Sequence, residues 1–290
     1  MDLTKQFVKA KSPCADGFRW FLRHYQQGGN YQELLDALVE DGRVDDAFWL
    51  LDQFGPTDAV LRLDHLEATA LVFAGTVEVA GNVDVSDRVR TGRHLHVGGS
   101  LRAGQTIIAG EDLRVGAGLR AEGEVRAGGD LRVAWNADVA GALTVGGFAR
   151  IGWELQASAQ VRIGSDLTVG HDLVAAAAID CGQGLQVGGE LRAAGTVTTG
   201  HGIAVQGDLR CEDHLNAAWG IRVGGSMAAA GSIRAGESLQ AGGTIQAGGD
   251  YGIYAGLAVP RHAWDSCALV RAQNLPEGLL SGCWSGPAVA

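Results

Sequence analysis

Five of the eight histidines in this 290-residue sequence lie between residues 71 and 245, at positions 94, 96, 171, 201 and 214. His94 and His96 flank Leu95, so on an extended segment both project to the same side. A catalytic zinc centre takes about three protein ligands, and no third ligand falls at a useful spacing. The histidines therefore read as surface groups, and no metal site is assigned. Neither an activated serine nor a Cys-His pair can be drawn, because Cys181 and Cys211 occupy apolar-phase positions.

Other candidate chemistry dissolves in the same way. Gly116, Gly118 and Gly123 have a superficial nucleotide-loop look, but no strand, turn and long helix surround them. Asp112, Asp130 and Asp166 sit in GEDL, GGDL and GSDL steps; calcium-binding β-rolls carry such steps at a period of about nine residues, which is not the period here. Arg114, Arg132 and Arg150 recur at one constant interval, which also separates Arg102 from Arg120 and Arg192 from Arg210. Stacked outward, such arginines could grip a polyanion. Asp112 and Asp130, two residues before Arg114 and Arg132, point instead to local neutralisation.

The sharpest anomaly is residues 135–153. Trp135, Phe148 and Trp153 gather there, with Arg132 and Arg150 nearby. Aromatic residues and arginine are favoured at protein interfaces, so these five are the candidate partner-binding residues. The competing expectation is that the aromatics fold inward and fill space left by Ala137 and Ala149. Trp135 and Trp153, separated by the same interval as the arginines, are expected to stack on each other.

The element that must position all of these is a repeat. From Leu71 to Ile245 a large aliphatic residue recurs at every sixth position without insertion or deletion, and only Ala137 and Ala149 lapse. Two residues later comes a second apolar or small side chain, then usually Gly, Ala or Ser. Taking every third hexad separates three sets. One has Val79, Val97, Val115 and Val133 at the second apolar position; the next has Ala103, Ala121, Ala157 and Ala175; the third favours β-branched residues such as Val89, Ile107 and Val125 at the first. An 18-residue coil with three unequal faces explains this. The expected fold is mainly β: a single-stranded triangular β-helix, or β-solenoid, of about ten 18-residue coils. The corner glycines are expected to supply unusual backbone angles.

Residues 1–58 read as a small α-helical N-terminal cap, with helices expected over Asp16–Gln27, Tyr31–Val39 and Val44–Phe54. Trp20, Phe48, Trp49 and Phe54 are expected to dock on the first coil. Residues 59–255 form the solenoid, opening with an out-of-phase transition over 59–70. Residues 256–290 read as an irregular apolar C-terminal tail or cap.

The formal charge of −10 argues against a nucleic-acid partner. Five cysteines without a CxxC pair fit reduced thiols, and neither a signal core nor a membrane-length apolar run is present; the expected location is cytoplasmic.

The unbroken hexad over residues 71–250 resembles the bactofilins, polymer-forming bacterial cytoskeletal proteins. That resemblance implies a right-handed triangular β-helix and self-assembly. Hexapeptide-repeat acyltransferases share the hexad but place the small inward residue two positions before the large one, whereas here it follows by two. The helical head and apolar tail depart from the bactofilin pattern and weigh against end-to-end polymerisation. The functional expectation is a non-enzymatic, cofactor-free interaction module, of inhibitory or immunity type, that occludes a toxin or enzyme. A bactofilin-like scaffold is the alternative and an acyltransferase the more distant one.

Overall fold

The computed structural model describes residues 2–25 and 28–287. Every hexad from Leu71 to Leu239 becomes a short strand, and from Val83 onward the first and third residues of each are buried while the middle one faces outward. Each strand pairs in parallel with its counterparts one coil before and one coil after, as in Leu101↔Leu119 and Arg102↔Arg120. The result is three parallel sheets. The Ala-rich face has 11 strands, the β-branched face 12 and the Val-rich face 13. One continuous apolar core runs between them.

The solenoid is longer than the hexads alone indicate, about 12 coils rather than ten. Val60–Leu63 and Leu66–Ala68, in the out-of-phase transition, pair with Thr76–Val79 and Val83–Val85. The tail also rejoins the ladder. After an excursion carrying a 3-10 turn, Arg261–Ala263, and the short helix Trp264–Cys267, strands at Leu269–Arg271, Leu279–Ser281 and Cys283–Trp284 extend the Val-rich and β-branched sheets. An unpaired sheet edge exposes a row of N–H and C=O groups, so the chain continues to pair after its strict period ends. Residues 288–290 lie outside the described residues.

The repeat glycines act through space rather than through backbone angle. No glycine between Gly75 and Gly252 has a positive φ. A Cβ on Gly116 would instead lie 2.1 Å from the carbonyl oxygen of Gly98, one coil below. Close approach of successive corners is what excludes a side chain there.

Polar residues just before the strands have a matching task. Asp112 Oδ1 accepts the backbone N–H of Asp130 at 3.0 Å, and Asp166, Asp172 and Asp208 do the same for Gly184, Glu190 and Ser226. Each carboxylate satisfies an N–H at the end of the ladder one coil on, a group that cannot be left unpaired cheaply. That accounts for the aspartates in the GEDL and GSDL steps without calcium.

The head comprises α1 (Lys5–Ala10), α2 (Ala15–His24), α3 (Tyr31–Glu40) and α4 (Val44–Phe54). Helix α1 is an addition to the three expected from sequence. The expected end of α2 at Gln27 lies outside the described residues; the helix closes at His24. Thr4 Oγ1 accepts the Phe7 N–H to start α1, and Gly55, at φ +75°, ends α4. Leu3, Trp20, Phe21, Leu34, Leu35 and Leu38 form a core that also takes in Ala70, Val72 and Ala74 from the first strand region of the β-branched face. Gln32 on α3 seals that strand's open edge. Its Nε2 donates to the Val72 carbonyl at 3.0 Å, and its Oε1 accepts the Ala74 N–H at 2.9 Å. Of the four aromatics expected to dock, Trp20 is buried inside the head, whereas Phe48 lies under the guanidinium groups of Arg88 and Arg90. Ion pairs Arg88–Asp45, Arg90–Asp52 and Arg93–Asp58 tie the head to the second coil.

Candidate partner-binding face

The five candidate residues converge on the Val-rich face and its two corners. Arg114, Arg132 and Arg150 are direct register partners, at middle strand positions that face out. At roughly 4.8 Å per coil they form a column. Arg114 pairs with Asp112 at 3.0 Å and Arg132 with Asp130 at 3.4 Å, so neutralisation accounts for these two. Arg150 differs: Phe148 stands where the aspartate would be, and among the described residues Arg150 makes no ion pair. Phe148 is half-buried, with the Arg132 guanidinium 4.4 Å from its ring centroid, a cation–π arrangement. Arg132 Nη1 is buried without a hydrogen-bond partner.

Trp135 and Trp153 point outward, at 67% and 51% exposure. This overturns the expectation that they fill the core. Ala137 and Ala149 remain inward and buried. Val139, Val145 and Ile151 are each larger than Ala121, Ala127 and Val133 one coil earlier, and all are buried. The tryptophans instead occupy the corner column that holds Gly99 and Gly189 in other coils. Trp153 does not stack on Trp135 as expected. It stacks on His171, with centroids 4.6 Å apart and planes 12° apart.

An open groove of about 1020 Å³ runs between the arginine column and this corner, lined by His96, Arg114, Arg132 and Arg150. Its floor is made by small residues, Gly98, Gly116, Ala134 and Gly152. A second groove of about 620 Å³ lies on the other side of Arg132 and Arg150. Burial, with Arg114 and His94 nearby, holds His96 below its ordinary pKa. Burial opposes ionisation of Asp112, but the Asp130 N–H, His94 and the two arginines outweigh it and hold the carboxyl below the usual range.

Several further groups were not among the sequence candidates. His201 stacks on exposed Trp219, with centroids 4.1 Å apart, at the opposite corner of the same face. His94 stacks on His96, and its Nε2 lies 2.9 Å from Glu111. Glu154, His171 and Asp172 come together beside Trp153. The signal for the last was the one-coil spacing of Trp153 with His171 and of Glu154 with Asp172. All five cysteines are free. Burial pushes the Cys181 thiol up to about 12 and raises that of Cys211, so neither is a nucleophile at neutral pH.

Fold and surface together define a parallel β-solenoid with a helical head, presenting arginine and tryptophan on one rigid face. Residues 1–54 match the family model of the YdhT N-terminal domain. No curated protein and no solved structure matches the chain. Among the described residues no helix is long and apolar enough to cross a membrane.

Proposed function

We propose that this chain is a non-enzymatic protein-binding module, of the inhibitory or immunity type, that occludes a partner protein with its Val-rich face. The observation that carries this reading is the exposure of Trp135 and Trp153 on a stiff corner beside Arg150, which has no carboxylate partner among the described residues. Large aromatic surface left in water is a cost that binding relieves, and an uncompensated guanidinium favours an acidic partner surface. The rod is rigid because each coil is bonded to two neighbours along three sheets, so little ordering entropy is lost on docking. Five free thiols, two of them buried, support a reducing compartment, the cytoplasm. The test is capture of a partner from an extract of the native host on immobilised wild-type protein, repeated with Trp153→Ala and Arg150→Ala. Loss of the same captured protein from both variants supports the reading; equal capture refutes it.

A second reading is a self-assembling scaffold of the bactofilin kind. It is favoured by Leu66–Ala68 and Ile245–Gln246, which end the Ala-rich sheet with no strand beyond them among the described residues. The Gln32 seal on the β-branched sheet weighs against it. Concentration-dependent filaments in light scattering would support the scaffold, and a monodisperse chain the binder.

A further inference from the structure

Along the corner after the Val-rich face, four successive coils place a carboxylate directly above the last: Glu154, Asp172, Glu190 and Asp208. Like charges in direct register repel. In two of these coils the repulsion is relieved by an arginine two residues later, Arg192 for Glu190 and Arg210 for Asp208. In the other two the equivalent positions are Gln156 and Val174. Glu154 and Asp172 therefore lack an arginine, and among the described residues their one basic neighbour is His171.

His171 Nδ1 lies 3.3 Å from Asp172 Oδ2 and 3.9 Å from Glu154 Oε1. This nitrogen is shielded from solvent and makes no hydrogen bond. Donor atoms of all three residues lie within 4.8 Å of one another. The arrangement is fixed on two sides. Trp153 stacks on the imidazole and sets its plane. Asp172 Oδ1 is held by the Glu190 N–H at 2.7 Å, which leaves Oδ2 turned to the imidazole. One nitrogen and two carboxylate oxygens, preorganised on adjacent rungs, are the donor set of a borderline divalent cation.

We propose that Glu154, His171 and Asp172 bind a first-row divalent ion such as Zn²⁺, Ni²⁺ or Co²⁺. The ion supplies the positive charge that arginine supplies in the next two coils. The imidazole selects these ions over Ca²⁺ and Mg²⁺, which take oxygen donors. Three protein ligands leave coordination positions for water or for a side chain of another molecule. The site stands independently of the protein-binding reading, since it needs no partner.

Calorimetric titration of the purified chain with ZnCl₂ tests it, alongside Trp fluorescence with NiCl₂ as quencher. The expected result is saturation at one ion per chain, unaffected by excess MgCl₂. Loss of an outer-sphere group already weakens metal sites about 10–100-fold, so Glu154→Gln and Asp172→Asn should each weaken binding at least tenfold, by the same scale, with unchanged circular dichroism. Trp153→Phe should lose most of the saturable quench, since the Trp153 indole stacks on His171. No saturable binding by the wild type overturns the proposal. Saturation that the Glu154→Gln, Asp172→Asn double variant leaves intact places the ion elsewhere and overturns it equally.

Discussion

Gln32 and Ala74 make a contact that substitutes for a strand: the glutamine Oε1 accepts the Ala74 N–H at 2.9 Å while its Nε2 donates to Val72. A parallel neighbour would offer the same acceptor and donor to this edge. One side chain thus ends a 12-stranded sheet. Gln32→Ala should cost about 1–3 kcal/mol, the range for buried backbone groups left unpaired. Hydrogen exchange should speed up locally at Ala74. Unchanged exchange there would show that the edge is protected by apolar contact with α3 alone.

The core and the corner tryptophans should respond oppositely to substitution. Leu191 is fully buried, so Leu191→Ala should cost about 2–5 kcal/mol, and Leu191→Asp about 4 kcal/mol or more. A one-residue insertion beside it should do the same by shifting every later rung. Trp135→Ala should change stability by less than about 0.5 kcal/mol. Urea unfolding of the three substitution variants checks this; a large loss for Trp135→Ala would restore it to a packing role.

Two glycines close together in sequence separate the roles that glycine plays here. A Cβ on Gly116 would meet the Gly98 oxygen at 2.1 Å, whereas one on Gly118 would meet nothing nearer than 3.7 Å. Gly116→Ala should destabilise by about 1–3 kcal/mol as overpacking does, while Gly118→Ala should be close to neutral. Similar thermal midpoints for the two would contradict close coil approach as the reason for the glycine column.

The regularity of Leu71–Ile245 was legible because burial repeats in every coil, and a single misplaced residue would have broken it. Helix α1 was not, since six residues show too little periodicity. The orientation of Trp135 was present in the spacing: positions 135, 153 and 171 share a corner column that lies outside the two inward positions of each hexad. Val139 and Ile151, buried in the same strands as Ala137 and Ala149, are larger than Ala121 and Val133 one coil earlier. Gln32 is an ordinary polar residue on a helix, and only the tertiary fold reveals its partner.

His96 gives the Val-rich face a pH dependence. Its pKa is held below the ordinary 6.5 by burial, then by Arg114 and His94, against the opposing pull of Glu78 and Asp112. The unfolded chain therefore takes up this proton at a higher pH than the folded one. Stability is independent of the group above 6.5 and falls as pH drops below it. His96→Gln should flatten the decline of Tm between about pH 7 and about pH 5. An identical decline in the variant would assign it to other groups.

The central claim is that the Trp135, Arg150 and Trp153 surface is the docking site. The measurement that tests it most directly is the affinity of the captured partner for the wild type and for the triple variant Trp135→Ala, Arg150→Ala, Trp153→Ala, by calorimetry at matched folded content. Interface anchors of this kind cost about 2 kcal/mol or more each when truncated, so the account predicts at least about a 100-fold loss. Undiminished affinity in a folded triple variant would contradict it.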